Sequence, residues 1–260
     1  MKKNRPTDFK KDLLKVRIYE TADQLGQQAA LFVTEKLQNI IHTKGKARIV
    51  IATGASQFAF YKELIQCNIE WPKITVFHLD EYLGIPESHP ASFRKYLKER
   101  ILDIVKPGNI HFLGGDAPDP EAEVQRYGRL LQEDEIDLAC IGIGENGHIA
   151  FNDPAVANFN DNVPVKVVEL DKDCRKQQLG EGWFKSLDDV PTHALSLTIP
   201  AIMNARTISC VVPDLRKSAA VRNTLEGPVA ESCPASILRK HPDATLFLDP
   251  NSATLLTALE

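Results

Sequence analysis

Three short polar loops carry side chains able to do acid–base or anion chemistry: Thr53-Gly54-Ala55-Ser56, the pair Asp80-Glu81 in FHLDEYLG, and GIGENGHIAFNDP over 142–154. The last is the richest. His148 is the natural general acid or base near neutral pH. Asp153, five residues on, is placed to orient its imidazole, and Asn146 stands two residues before it, where a carboxylate would orient the ring better. Glycines at 142, 144 and 147 allow close backbone approach, so the N–H groups of Gly144 and Gly147 are candidate donors to a ligand oxygen. The plain alternative is a glycine turn beside a core histidine. Of the two acids at 80 and 81, one held partly out of water could gain a pKa suited to proton abstraction. Otherwise Asp80 caps a turn and Glu81 is solvated. In Thr53–Ser56, small residues ahead of a helix N-terminus offer N–H groups, two hydroxyls and a favourable partial charge to an anion. The competing reading is a tight turn with Ser56 as N-cap. The loop is not a P-loop, since it lacks the Gly-Lys-Ser/Thr ending. In LRKSAAVRNTLEG, Lys217 at the helix start is a candidate point charge for a phosphate, whereas Arg216 and Arg222 read as a solvated cationic face.

The surrounding pattern explains how such loops could meet. KVRIYE (15–20), KARIVIAT (46–53), ITVFHLD (74–80), IDLACIGI (136–143), VPVKVVEL (163–170), the two β runs in THALSLTIPAIMNARTISCVVP and TLFLD (245–249) read as strands. Helical spacing is expected over 21–44, 56–67, 90–105, 119–133 and 215–227, the last ending at Gly227 as a C′ residue. Repeated strand-then-helix units predict an α/β fold, a mostly parallel sheet with helices on both faces. In such sheets ligands bind beyond the carboxyl ends of the strands, and all three loops follow β runs. With no linker, repeat or low-complexity tract, residues 1–260 are expected to form one domain.

Composition narrows the function classes. The 260 residues are 43% hydrophobic and 25% charged, with net charge −4, which is ordinary globular composition without a basic field for nucleic acid. Five cysteines show no CxxC and no metal spacing, favouring a reducing, cytoplasmic setting. The basic N-terminus lacks an apolar signal core, and no apolar run reaches the roughly 18 residues of a membrane span. A homo-oligomer is compatible with the sequence, which shows no decisive interface stripe.

Taken together and in order, IATGAS, FHLDEYLGIPESHPASF, IDLACIGIGENGHIAFNDP and LRKSAAVRNTLEG resemble the glucosamine-6-phosphate deaminase/isomerase family, relatives of the 6-phosphogluconolactonases. The likeness spans nearly the whole chain, and LDEYLGIPESHPASF points to the deaminase branch. It implies a modified Rossmann-like fold and conversion of glucosamine 6-phosphate and water to fructose 6-phosphate and ammonia, with no metal or organic cofactor. By resemblance His148 opens the sugar ring with help from Asn146 and Asp153, and Asp80 moves the proton between C2 and C1. Glu81, Gly144 and Gly147 contact the sugar, and Thr53, Gly54, Ala55 and Ser56 hold the phosphate with Lys217.

Three departures stand out against the family pattern. Asn146 replaces an aspartate and Asp153 a glutamate. An amide at 146 accepting from the imidazole would leave that ring less basic than a carboxylate would. Glu181 or Gly182 occupies the place of a phosphate-binding arginine, with Arg175 or Lys176 as substitutes from upstream. An allosteric site of some members does not carry over; only Lys166 is retained, so activation by N-acetylglucosamine 6-phosphate is not expected. These departures keep other readings open: the same chemistry on galactosamine 6-phosphate, a 6-phosphogluconolactonase, or a sugar-phosphate-binding regulator without turnover.

Overall fold

Apolar residues alternate along every central strand, and the computed structural model, which describes residues 7–180 and 182–257, shows why. In β7 (Leu138–Ile141), Leu138 and Cys140 face one core while Ala139 and Ile141 face another. β3 (Ala47–Ile51) and β10 (Thr207–Val212), which flank β7, split in the same way. Strands buried on both faces favour apolar side chains toward each core. The order of the main sheet is β1-β2-β11-β10-β7-β3-β4-β6. Here β1 is Thr7–Lys11, β2 Leu14–Ile18, β4 Ile74–His78, β6 Asn109–His111 and β11 Ala244–Leu248. All neighbours pair parallel except β1 with β2. The edge strands β1 and β6 were not expected from sequence; both are short and largely polar.

On one face lie α1 (Ala22–Lys44), capped by the Thr21 hydroxyl, and α2 (Phe58–Leu64). With them is α3 (Phe93–Leu97), which passes through a π-helical stretch at Lys98–Leu102 into α4 (Asp103–Val105). The other face carries α5 (Pro120–Gln132), capped by Asp119, together with α7 (Ile199–Met203) and α8 (Ser218–Glu226). The helix expected to end at Gly227 does end there. Gly227 is extended (φ −77°), though, not left-handed, and its N–H returns to Asn223 O. Glycine is needed for closeness instead: a Cβ would sit 2.6 Å from that carbonyl.

A second, antiparallel sheet pairs β5 (Asp80–Tyr82) with β9 (His193–Leu197), and β9 with β8 (Val165–Glu169). The run ITVFHLD is therefore not one strand. β4 ends at His78, and Leu79 straddles the seam. Its N–H donates to Ile51 O, and its carbonyl receives Leu197 N–H from β9. Asp80 begins the new sheet, directly beyond the carboxyl end of the parallel one. α6 (Lys172–Gly180) follows β8 and packs against β5 through Gln178, whose Oε1 accepts the Tyr82 hydroxyl. Among the described residues no helix is long and apolar enough to cross a membrane.

Candidate active site

The carboxyl ends of β3, β4, β7 and β10 open into a cleft of about 250 Å³. Its wall includes Thr53, Gly54, Ala55, Ser56, Asp80, Gly144, His148 and Lys217, so the three loops and the basic helix start meet as expected. Glu81, Asn146, Gly147 and Asp153 are not part of that wall, each for a different reason.

The histidine is built into the loop by close contacts. Its Nδ1 donates to Oδ1 of Asp153 over 2.8 Å, and its Nε2 has no partner among the described residues. Asp153 is buried. Burial alone would raise its pKa, but hydrogen bonds from His148 and Asn146 and the neighbouring Cys174 thiol bring it down to about 2. The carboxylate therefore stays ionised and fixes Nδ1 as the donor, leaving Nε2 to face the cleft. The other oxygen, Oδ2, is sealed and receives no N–H or O–H from the described residues. Cys174 lies beside the carboxylate, which together with burial pushes its thiol well above the usual range.

Asn146 does not touch the imidazole. Its Oδ1 accepts the backbone N–H of His148 at 3.0 Å, and its Nδ2 donates to Oδ1 of Asp153 at 2.7 Å. The sequence expectation that its carbonyl accepts from the ring is corrected: it braces the histidine's backbone and the histidine's partner.

The glycines also act otherwise than expected. Gly144 N–H donates to His148 O, and Gly147 N–H to Gly144 O, so neither is available to a sugar oxygen. A Cβ on Gly144 would lie 2.2 Å from His148 ring atoms, so glycine here makes room for the imidazole. Gly147 needs glycine for its left-handed backbone (φ 89°) and because Cys233 Sγ would be 2.7 Å from a Cβ. The far end of the loop is anchored to β9, where Ser196 Oγ accepts from Phe151 N–H and Leu197 O accepts from Asn152 Nδ2.

Asp80 is buried in the cleft wall with no side-chain hydrogen bond among the described residues. Burial, then the charges of Glu81 and Asp153, raise its pKa to about 8. A carboxyl poised near neutral pH is suited to moving a proton. Glu81 points the other way on the strand. Its oxygens accept from Phe93 and Arg94 N–H, Ser92 Oγ and Arg94 Nε at 3.0–3.1 Å. It anchors the start of α3 and pairs with a buried arginine, and it does not line the cleft.

Elsewhere in the wall, the turn after β3 and the turn after β10 have one shape. Each has a left-handed residue, Gly54 (φ 97°) or Asp214 (φ 89°), then a 3₁₀ turn, then a helix. Asp214 is held in this strained region by Asp249 Oδ1, which accepts its N–H, and by its own bonds to Arg216. In the first turn the N–H groups of Gly54, Ala55 and Ser56 have no acceptor among the described residues, as expected at a helix start. Lys217 is buried in the facing wall. Arg216, read from sequence as solvated, lines the cleft as well, tied to Asp214 and Glu145. Arg222 is exposed as expected. Of the two proposed substitutes for a phosphate arginine, Arg175 is spent on the carbonyls of Leu187 and Val190, and Lys176 is exposed outside the cleft wall. Gly182 is likewise outside that wall, and Glu181 lies outside the described residues. Lys166 is bonded to Val156 O and Asp161.

Sequence reasoning missed Tyr96, Phe151, Gln177, Gln178 and Trp183, which also line the wall. Phe151 lies inside the quoted loop 142–154 and Tyr96 three residues beyond LDEYLGIPESHPASF; the other three carried no signal.

Residues 20–247 match the model of the glucosamine-6-phosphate isomerases/6-phosphogluconolactonase family. The chain belongs to this family. Over 234 residues it is 38% identical to a glucosamine-6-phosphate deaminase of Listeria monocytogenes, covering 89% of this chain and 95% of that one. A glucosamine-6-phosphate deaminase of Streptococcus pneumoniae is 36% identical, with 94% and 99% covered. Among solved structures, a monomeric glucosamine-6-phosphate deaminase superposes with a TM-score of 0.85 at 33% identity, over 93% of this chain and 99% of that one. A 6-phosphogluconolactonase from Thermotoga maritima, at 20% identity and a TM-score of 0.74 over 90% and 98%, shares the fold.

Proposed function

We propose that the protein is a glucosamine-6-phosphate deaminase. It isomerises and deaminates its substrate with water to give fructose 6-phosphate and ammonia. One observation carries the reading: a carboxyl poised near neutral pH (Asp80) and a carboxylate-oriented histidine (His148) share one cleft whose wall also offers N–H groups without an acceptor among the described residues, hydroxyls and Lys217. The names of the deaminase relatives support it.

In this reading the phosphate sits between Thr53–Ser56 and Lys217. Held there, it supplies binding energy remote from the reacting carbons and fixes their position. Nε2 of His148 moves a proton between the C1 hydroxyl and the ring oxygen, which opens the pyranose. Asp153 stabilises the imidazolium when it forms, and Asn146 holds Asp153 in place. Asp80 then takes the C2 hydrogen, acidified by the C1 carbonyl, and returns a proton at C1. The resulting imine at C2 is hydrolysed by water, releasing ammonia. Neither a metal nor an organic cofactor enters this scheme. A cytoplasmic setting fits five unpaired cysteines, four of them buried.

The test is direct. Purified protein is incubated with glucosamine 6-phosphate and, separately, galactosamine 6-phosphate, and ammonia and ketose 6-phosphate are measured. Equimolar ammonia and fructose 6-phosphate from the first is expected. Turnover of only the galactosamine compound would move the assignment to that sugar, and none from either would sink the deaminase reading.

A further inference from the structure

We infer that Gln178 is a substrate-reading residue, its side-chain NH₂ donating to a secondary hydroxyl of the sugar between the reacting carbons and the phosphate. Gln178 lies on α6 and is only 8% exposed, yet it lines the cleft. Its Oε1 accepts the Tyr82 hydroxyl at 2.5 Å. That bond fixes which end of the amide faces inward. The NH₂ has no acceptor among the described residues and keeps access to the cleft. A buried amide with one end pinned and two unspent donors is costly unless something completes it. A ligand oxygen would.

Its position says which part of the ligand it meets. Tyr82 lies two residues after Asp80 on β5, so the two side chains share a face of the strand. Cys174, one helical turn before Gln178, sits beside Asp153. Gln178 is thus anchored through Tyr82 and Cys174 to the neighbourhood of Asp80 and Asp153. α6 is tied down elsewhere too: Gln177 Oε1 accepts Glu145 N–H, and Arg175 holds the carbonyls of Leu187 and Val190. A donor on a fixed helix discriminates more sharply than one on a mobile loop. With the phosphate on C6, chemistry at C1 and C2, and the C5 ring oxygen served by His148 in this reading, the remaining secondary oxygens are the C3 and C4 hydroxyls. The C4 hydroxyl is the group that separates glucosamine from galactosamine.

The inference rests on the hexosamine-phosphate reading, so its test uses a compound that cannot turn over. The alditol 2-amino-2-deoxyglucitol 6-phosphate lacks the C1 carbonyl. Its affinity and those of its 3-deoxy and 4-deoxy forms are measured by calorimetry for wild type and Gln178→Ala. Wild type is expected to lose about tenfold for one of the two deoxy forms. Gln178→Ala should bind the parent about tenfold more weakly and no longer distinguish it from that deoxy form. If Gln178→Ala fails to fold by circular dichroism, Gln178→Met, which keeps the volume and removes the donor, answers the same question. Unchanged affinity in the variant, losses that simply add, or no binding of the alditol by wild type would each overturn the inference. Failure of the deaminase reading is told apart by absent ammonia from glucosamine 6-phosphate while Gln178-dependent binding persists.

Discussion

Asn146 and His148 share an acceptor: Nδ2 of the first and Nδ1 of the second both donate to Oδ1 of Asp153, at 2.7 and 2.8 Å. The amide at 146 is therefore chemically specific, because a carboxylate there would face Asp153 without a proton between them. Asn146→Asp should destabilise the protein by about 1 kcal/mol at pH 8 and by less near pH 4, since the exposed position allows partial escape to water. The sign follows from the pair. Crowded carboxylates raise a pKa in the fold, so stability falls as pH rises through that value. Thermal melts of wild type and variant at the two pH values provide the check. Equal losses at both would show that residue 146 does not act on Asp153.

Gly144→Ala tests the packing of the histidine. The added methyl would meet the imidazole at 2.2 Å, so the ring must shift by about an ångström. Displacement of that order costs roughly a hundredfold in rate. The variant should fold and bind the alditol phosphate, yet lose about that much kcat. A wild-type kcat would mean that His148 is not the group whose position limits turnover.

The central sheet was legible because strands buried on two faces favour apolar side chains toward each core, as in IVIA and LACI. The three loops were legible because ligands gather at strand ends. The passage from β4 to β5 was not: Leu79 continues the apolar alternation, no turn residue marks the crossing, and only the hydrogen bonds to Ile51 and Leu197 reveal it. α6 escaped for the opposite reason, since KDCRKQQLG is polar around most of its circumference. Its contribution rests on uncharged glutamines, which carry no signal of chemistry until Tyr82 is seen against one of them. The loop glycines were rightly singled out, but for donors they do not offer. What they supply is space for the His148 ring and the Cys233 sulfur.

Glu81 separates structure from chemistry on one strand. Its carboxylate is the buried partner of Arg94, whose remaining acid, Asp116, is half exposed. Removing one member of a buried pair strands the other. Glu81→Gln should lower stability by about 2–4 kcal/mol while leaving KM for the sugar phosphate within about threefold of wild type. A tenfold rise in KM with an unchanged melting temperature would instead place Glu81 on the substrate.

Asp80 links stability, pH and turnover. Its pKa is raised in the fold from 3.8 to about 8, by burial first and then by Glu81 and Asp153. Below about pH 4 it is protonated in both folded and unfolded chains and costs nothing. Between about pH 4 and pH 8 the unfolded chain releases this proton and the folded one retains it, so stability falls across that window. Asp80→Asn removes the effect, and its melting temperature relative to wild type should rise from pH 5 to pH 8. A carbon-13 carboxyl resonance titrating near 8 should vanish in the same variant. Exchange of the C2 hydrogen with solvent should vanish too, because an amide cannot accept that proton, while binding of the alditol phosphate persists. If the variant keeps wild-type exchange, the base is another group, and the raised pKa of Asp80 reflects only its buried, acidic surroundings.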